Sequence, residues 1–131
     1  MKSLFLIALL ACCMTASAAD KVRVVLAGDS TVTDKQGWGL GFAELVGEDV
    51  ELHNLAKGGR SSKSFYDEGI WAKCVELKPD YILIQFGHND EPGKGLARET
   101  DASTTYYENM KRAYLRSLKK GRRKKGKKDE E

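Results

Sequence analysis

Three short groups of residues in this chain can do chemistry together. Ser30 stands in Gly28-Asp29-Ser30-Thr31, the Gly58-Gly59 pair in Lys57-Gly58-Gly59-Arg60-Ser61-Ser62, and Asn89 in Gly87-His88-Asn89-Asp90. They supply a hydroxyl, a bare backbone amide and a side-chain amide. Acyl transfer uses that set: a serine attacks a carbonyl carbon, and fixed N–H donors meet the negative charge that grows on the carbonyl oxygen. Glycine lets a backbone N–H approach closely, and asparagine carries an NH2. Losing one such donor costs about 3 kcal/mol of barrier. Each group also has a plainer use. Gly-Asp-Ser-Thr is made of turn formers, and Asp29, Ser30 or Thr31 can cap a helix. Asn89 and Asp90 can be caps after a strand, and Ser61 and Ser62 read as helix caps rather than rival nucleophiles.

The elements that must position these residues are legible as apolar runs. Residues 22–27 form a short, β-branched strand pattern that stops at Gly28, where a sharp turn is permitted. Residues 50–54 alternate Val50, Leu52 and Asn54 against Glu51 and His53. Residues 81–86, Tyr-Ile-Leu-Ile-Gln-Phe, are nearly all apolar, which predicts burial on both faces, as in a parallel sheet. Between the strands lie helical patterns. Leu40, Phe42, Ala43, Leu45 and Val46 mark a short helix ending at Gly47. Residues 65–77 carry Ile70, Cys74 and Leu77 at i, i+4, i+7, widened by Trp71 and Val75. Gly69 weakens that helix by about 1 kcal/mol, and Lys78-Pro79-Asp80 ends it. After a polar loop at 91–102, Ser103 or Thr104 caps a last helix through Tyr107, Met110, Tyr114 and Leu118. Strand and helix alternating three times predicts an α/β fold with a parallel sheet and right-handed crossovers. Each reactive group follows a strand, so all three fall along the sheet edge where such folds hold ligands.

At 131 residues the chain holds one domain at most. Residues 1–18 read as an export signal: Lys2, an apolar run at 4–11, and the small-residue cleavage site Ala16-Ser17-Ala18. The run is short for a membrane span. The expected location is secreted or periplasmic, with lipoprotein processing at Cys12 the weaker match. Cys12 and Cys13 leave with the signal, so Cys74 has no internal disulfide partner; its apolar setting makes it core filler. The net charge of +3 belongs to the end of the chain, where Lys119, Lys120, Arg122, Arg123, Lys124, Lys125, Lys127 and Lys128 precede Asp129-Glu130-Glu131. The rest is slightly acidic, and export argues against a nuclear role. Neither nucleic acid nor, beyond export, a membrane is expected as a partner, and the sequence carries no signal for an oligomeric state.

Gly28-Asp29-Ser30-Thr31, Gly59-Arg60-Ser61 and Gly87-His88-Asn89-Asp90, in that order and each after a predicted strand, resemble the first three blocks of the SGNH hydrolases, also called the GDSL family. The longer text Leu26-Ala27-Gly28-Asp29-Ser30-Thr31 with Phe86-Gly87-His88-Asn89-Asp90 is similar to the rhamnogalacturonan acetylesterase branch. The similarity covers residues 22–115. It implies a three-layer, flavodoxin-like α/β fold, and hydrolysis of O-acetyl esters on a plant cell-wall polysaccharide or oligosaccharide. It implies no cofactor and no metal. By that resemblance Ser30 is the nucleophile. The oxyanion hole is the Ser30 and Gly59 backbone amides with the Asn89 side chain. Gly28, Asp29 and Asp90 support it, Asp29 by bracing the turn.

One part of the family pattern is absent. The family's general base is a histidine in a fourth block, Asp-x-x-His, near the end of a considerably longer chain. Here only His53 and His88 occur, and neither matches. The expectation is an SGNH domain over residues 19–118, truncated after its third strand–helix unit, and nearly inactive. Residues 119–131 are then a disordered basic tail or a frameshift product, since so charged a stretch cannot form a buried strand. Two other readings stay open: a non-catalytic glycan-binding protein on a degenerate esterase fold, and a flavodoxin-like phosphate binder with 28–31 as its anion loop. The second is disfavoured by Asp29 and the lack of a Lys-Ser/Thr signature. Arg60 either orients its loop or meets an acidic sugar, and Trp38 either lines the crevice or packs.

Overall fold

Val22–Gly28, seven residues with a β-branched centre, form β1, the middle strand of a three-stranded sheet. The computed structural model describes the backbone of residues 20–125 and the side chains of residues 20–116; the reading of residues 1–18 and of Cys12 falls outside the described residues. Around β1 the order is α1 (Gly39–Leu45), β2 (Val50–Asn54), α2 (Ser62–Asp67), α3 (Ile70–Glu76), β3 (Tyr81–Gln85) and α4 (Thr105–Lys125). The strands lie β2-β1-β3, all parallel. Val25 stands opposite His53, and Gly28 opposite Gln85. This is the parallel α/β arrangement predicted from the alternation of elements.

Alternate side chains of β1 feed two cores, as a strand's period of two requires. Val25 and Ala27 join Phe65, Ile70, Trp71, Cys74 and Ala113 on the face covered by α2, α3 and α4. Val24 and Leu26 join Val32, with Trp38, Phe42 and Leu52 partly buried, on the face covered by α1 and the loop after β1. The result is three layers. β1 runs to β2 on one side while β3 flanks it on the other, so the connections diverge at the β1/β3 boundary, the place where open sheets form a crevice.

Four features differ from the sequence expectation. The helix expected over 65–77 is two helices, because Gly69 takes φ +73°, which ends α2 and starts α3. Expected burial of 81–86 on both faces is only partial: Ile82, Leu83 and Ile84 are half-buried and Tyr81 is 64% exposed. Among the described residues, β3 has a strand on one side alone. At α4, Thr104 holds the cap position, its carbonyl accepting from the Glu108 N–H at 2.9 Å. The capping oxygen is Asp101 Oδ1, which accepts from the amides and hydroxyls of both Ser103 and Thr104. Those bonds, Ser103 first, hold the Asp101 carboxyl below its usual value. Finally, the last helix, expected through Leu118, runs on to Lys125; the rest of the basic tail, residues 126–131, lies outside the described residues. Lysine and arginine are good helix formers, and positive charge suits a helix C-terminus.

Candidate active site

Gly28 closes β1 against β3. A Cβ there would lie 2.7 Å from the Gln85 carbonyl oxygen and would overlap the Val32 side chain, so no larger residue fits. The chain then turns. Buried Asp29 accepts from the Thr31 N–H (2.9 Å) and the Thr31 hydroxyl (2.7 Å), a local turn that its short carboxylate builds. Both neighbouring strands pin the loop. From β3, Gln85 Nε2 donates to Thr31 Oγ1 (2.9 Å), while Gln85 Oε1 accepts from Trp38 Nε1 (2.9 Å). From β2, Asn54 Nδ2 donates to the Val32 carbonyl (2.8 Å). Of the two uses considered for Trp38, the structure shows packing: its ring meets Phe42 edge-on, while its N–H helps to fix the loop. Ser30 joins this lattice through its carbonyl, which accepts from Thr33.

The second loop reaches Ser30 directly. Lys57 N donates to the Gly28 carbonyl (3.0 Å), extending the β1–β2 pairing past β2. A Cβ on Gly58 would lie 3.8 Å from Ser30 Cβ. The Arg60 N–H then bonds back to the Lys57 carbonyl, a turn with Gly59 at φ +74°. Arg60 orients this loop. Its Nε is 3.1 Å from both Glu68 oxygens, and its Nη1 donates to the Gly58 carbonyl (3.0 Å). Arg60, and then Lys57, hold the Glu68 carboxyl below its usual value.

The third loop docks on the second. Buried Asn89 donates one Nδ2 hydrogen to the Arg60 carbonyl (3.2 Å), one residue past Gly59, and keeps the other. Buried Asp90 sits at the start of α2, accepting from the Ser62 N–H (3.1 Å), the Ser62 hydroxyl (2.6 Å) and the Thr100 hydroxyl (3.1 Å). Ser61 caps α2 in a reciprocal box with Ser64, as expected, whereas Ser62 is the first residue of the helix and donates to Asp90 instead of capping. Tyr106, which the sequence did not single out, donates to the Phe86 carbonyl (3.0 Å). Burial, then Asp90 and Asp29, push its phenol up, so it stays a neutral donor.

Ser30, Gly59 and Asn89 therefore share one edge of the sheet, linked loop to loop. A hydroxyl beside a bare turn and a side-chain amide can attack a carbonyl carbon and bind the resulting oxyanion. Neither histidine hydrogen-bonds to Ser30. His53 Nε2 is 2.8 Å from Glu51 Oε1 within β2, and exposed His88 faces Glu91 at 3.8 Å. Cys74 is fully buried, and desolvation pushes its thiol up to about 12, which leaves it inert. A cavity of about 870 Å³ is lined by Asp90, Lys63, Leu96, Ala102 and Tyr106; Ser30, Gly59 and Asn89 do not line it.

No family model matches the chain. Among curated proteins it is 46% identical over 83 residues to the rhamnogalacturonan acetylesterase RhgT of Bacillus subtilis, covering 56% of this chain and 36% of that protein. It is 37% identical over 112 residues to the probable rhamnogalacturonan acetylesterase YesY of the same organism, covering 79% of this chain and 49% of that protein. A rhamnogalacturonan acetylesterase of Emericella nidulans is 43% identical over 70 residues, or 51% of this chain and 28% of that protein. The chain thus spans half or less of the length of these relatives. Among solved structures, the Bacillus subtilis protein YXIM superposes with a TM-score of 0.67 at 22% identity, over 77% of this chain and 30% of that one, a likeness of fold. The chain is similar in sequence to part of the rhamnogalacturonan acetylesterases, on a three-layer α/β fold with a parallel sheet.

Proposed function

We propose that this chain carries the nucleophile and oxyanion hole of an exported serine esterase that removes O-acetyl groups from rhamnogalacturonan. The observation that carries the reading is the linkage of the three loops: Gly58 against Ser30, and Asn89 on the carbonyl beside Gly59. Ser30 Oγ attacks the acetyl carbon, and the Ser30 and Gly59 amides with Asn89 receive the oxyanion. The sugar oxygen then leaves with a proton, and water hydrolyses the acetyl-serine. With neither histidine on Ser30, turnover is slow. Hydrolases stripped of their base retain only about 10³-fold over water from the oxyanion hole and binding.

The test is mass spectrometry of the chain after exposure to p-nitrophenyl acetate. Slow deacylation should leave an acetyl group on the peptide bearing Ser30, absent in Ser30→Ala and formed more slowly in Asn89→Ala. No adduct at Ser30, or equal rates in Asn89→Ala, would refute the reading. Robust turnover abolished by Ser30→Ala would instead show that a base is present. The binding-protein reading draws on the same lack of a histidine at Ser30. It requires glycan binding unchanged in Ser30→Ala with no adduct. Export through residues 1–18 rests on Lys2, the apolar run and Ala16-Ser17-Ala18; recovery of the chain outside the cytoplasm, cut before Ala19, would support it.

A further inference from the structure

The connection from β3 to α4 looks like a plain polar loop in sequence, but it is a built platform. Thr100 closes its base on Asp90 through both its N–H (2.8 Å) and its hydroxyl (3.1 Å). Lys63 Nζ ties it to α2 through the Leu96 carbonyl (2.6 Å). Inside, Arg98 N and Glu99 N both donate to the Gly95 carbonyl, and Glu99 Oε2 accepts from Gly93 N. This platform presents Arg98. Its Nε donates to the Lys94 carbonyl (2.9 Å), which fixes the plane of the guanidinium. Its outer end faces the second site loop: a Cβ on Gly59 would lie 4.0 Å from Arg98 Nη1.

The other cations around the site are engaged. Arg60 and Lys57 meet Glu68, Lys63 meets Leu96, and Lys94 faces Glu91. Among the described residues, Arg98 has no ion pair, and its two Nη groups keep their hydrogens for a ligand. A guanidinium held at Nε presents a fork that matches a carboxylate, with little freedom left to lose on binding.

We propose that Arg98 recognises the carboxylate of a uronate sugar in the glycan whose acetyl group is presented to Ser30. The proposal rests on the esterase reading above, from which the acidic glycan comes. Gly59 serves twice here, since a side chain at that position would start 4.0 Å from Arg98 Nη1 and crowd the guanidinium.

The test compares binding of an oligogalacturonate with that of the same oligosaccharide reduced to its neutral form, by calorimetry on the full chain. The wild-type chain should prefer the carboxylate form by about tenfold or more, the worth of a charge-assisted hydrogen bond. Arg98→Gln should abolish that preference, and Arg98→Lys should restore part of it, since lysine keeps the charge without the fork. Full preference retained in Arg98→Gln would overturn the proposal, and so would wild-type protein that ignores the carboxylate or binds neither sugar. Acetylation of Ser30 is followed on the same samples. An adduct without carboxylate preference sinks the role of Arg98 alone, whereas no adduct sinks the esterase reading beneath it.

Discussion

Removing the Asp90 carboxylate should cost more stability than any other polar change near the site. Asp90 is 5% exposed and accepts from the Ser62 amide, the Ser62 hydroxyl and the Thr100 hydroxyl. Ser62 Oγ in turn accepts from Asn109 Nδ2 on α4 (3.1 Å). One carboxylate therefore ties the end of β3 to α2, to the loop beyond it and, through Ser62, to α4. Asp90→Ala leaves three donors facing a hole. Hydrogen bonds to a charged group are worth about 1.5–3 kcal/mol each. They are not additive, since all three donors share one acceptor group, so the expected loss is about 3–5 kcal/mol. Set against a total of about 5–15 kcal/mol for a domain, that is a large fraction. Asp90→Asn keeps the volume and one acceptor oxygen and should lose about half as much. Urea unfolding followed by tryptophan fluorescence reads the effect. With a slope of about 1–3 kcal/mol per molar, the alanine midpoint should fall by about 2 M, the asparagine midpoint by less. A loss under about 1 kcal/mol in Asp90→Ala would show that water replaces the carboxylate and would refute the reasoning.

Three further outcomes follow from the same geometry. Gly28→Ala should cost about 1–3 kcal/mol or more, because its Cβ would press on the Gln85 carbonyl and the Val32 side chain; it should also slow acetylation of Ser30, and a fully stable variant acetylated at the wild-type rate would contradict this. Gln85→Ala should shift the melting temperature little, because Gln85 is exposed, yet slow Ser30 acetylation by freeing Thr31 and Trp38; an unchanged rate would mean that the Asp29 turn holds the loop alone. The Cys74 thiol should resist a disulfide reagent at pH 8 until the chain unfolds. Its folded value of about 12 lies above the ordinary 9.0, so the unfolded thiol ionises first and stability should fall as the pH rises past 9. Stability flat from pH 8 to 11 would count against that burial.

The strands were readable because parallel strands buried in the middle of a fold must be apolar, and β1 and β2 occur where Val22, Val24, Leu26, Val50 and Leu52 predict them. Ser30, Gly59 and Asn89 were readable because each closes a strand, and topology then aligns the loops. What periodicity could not show is where a helix breaks. Ile70, Cys74 and Leu77 keep their spacing across Gly69, so only its left-handed conformation reveals the division. The two uses of Arg60 look alike in sequence, and the position of Glu68 one helix later decides between them. Arg98 carried no signal, because it sits in a polar loop without a repeating pattern. The one hint was the density of glycine and proline around it, Pro92, Gly93 and Gly95, which marks a shaped loop rather than a slack one.

The central strand of the sheet is also the first to be made. Arg23 finds its β2 partner Glu51 28 residues later, and Asp80 at the start of β3 57 residues later. At a synthesis rate of about 10 residues per second, β1 waits roughly 3 seconds for one neighbour and 6 for the other. Until β2 emerges, β1 has no strand on either side, and the face that α2, α3 and α4 will cover stays bare. The order of the genetic message thus makes β1 the natural client of whatever holds a nascent chain, and β3, its last strand partner, sets the earliest moment at which the sheet can close.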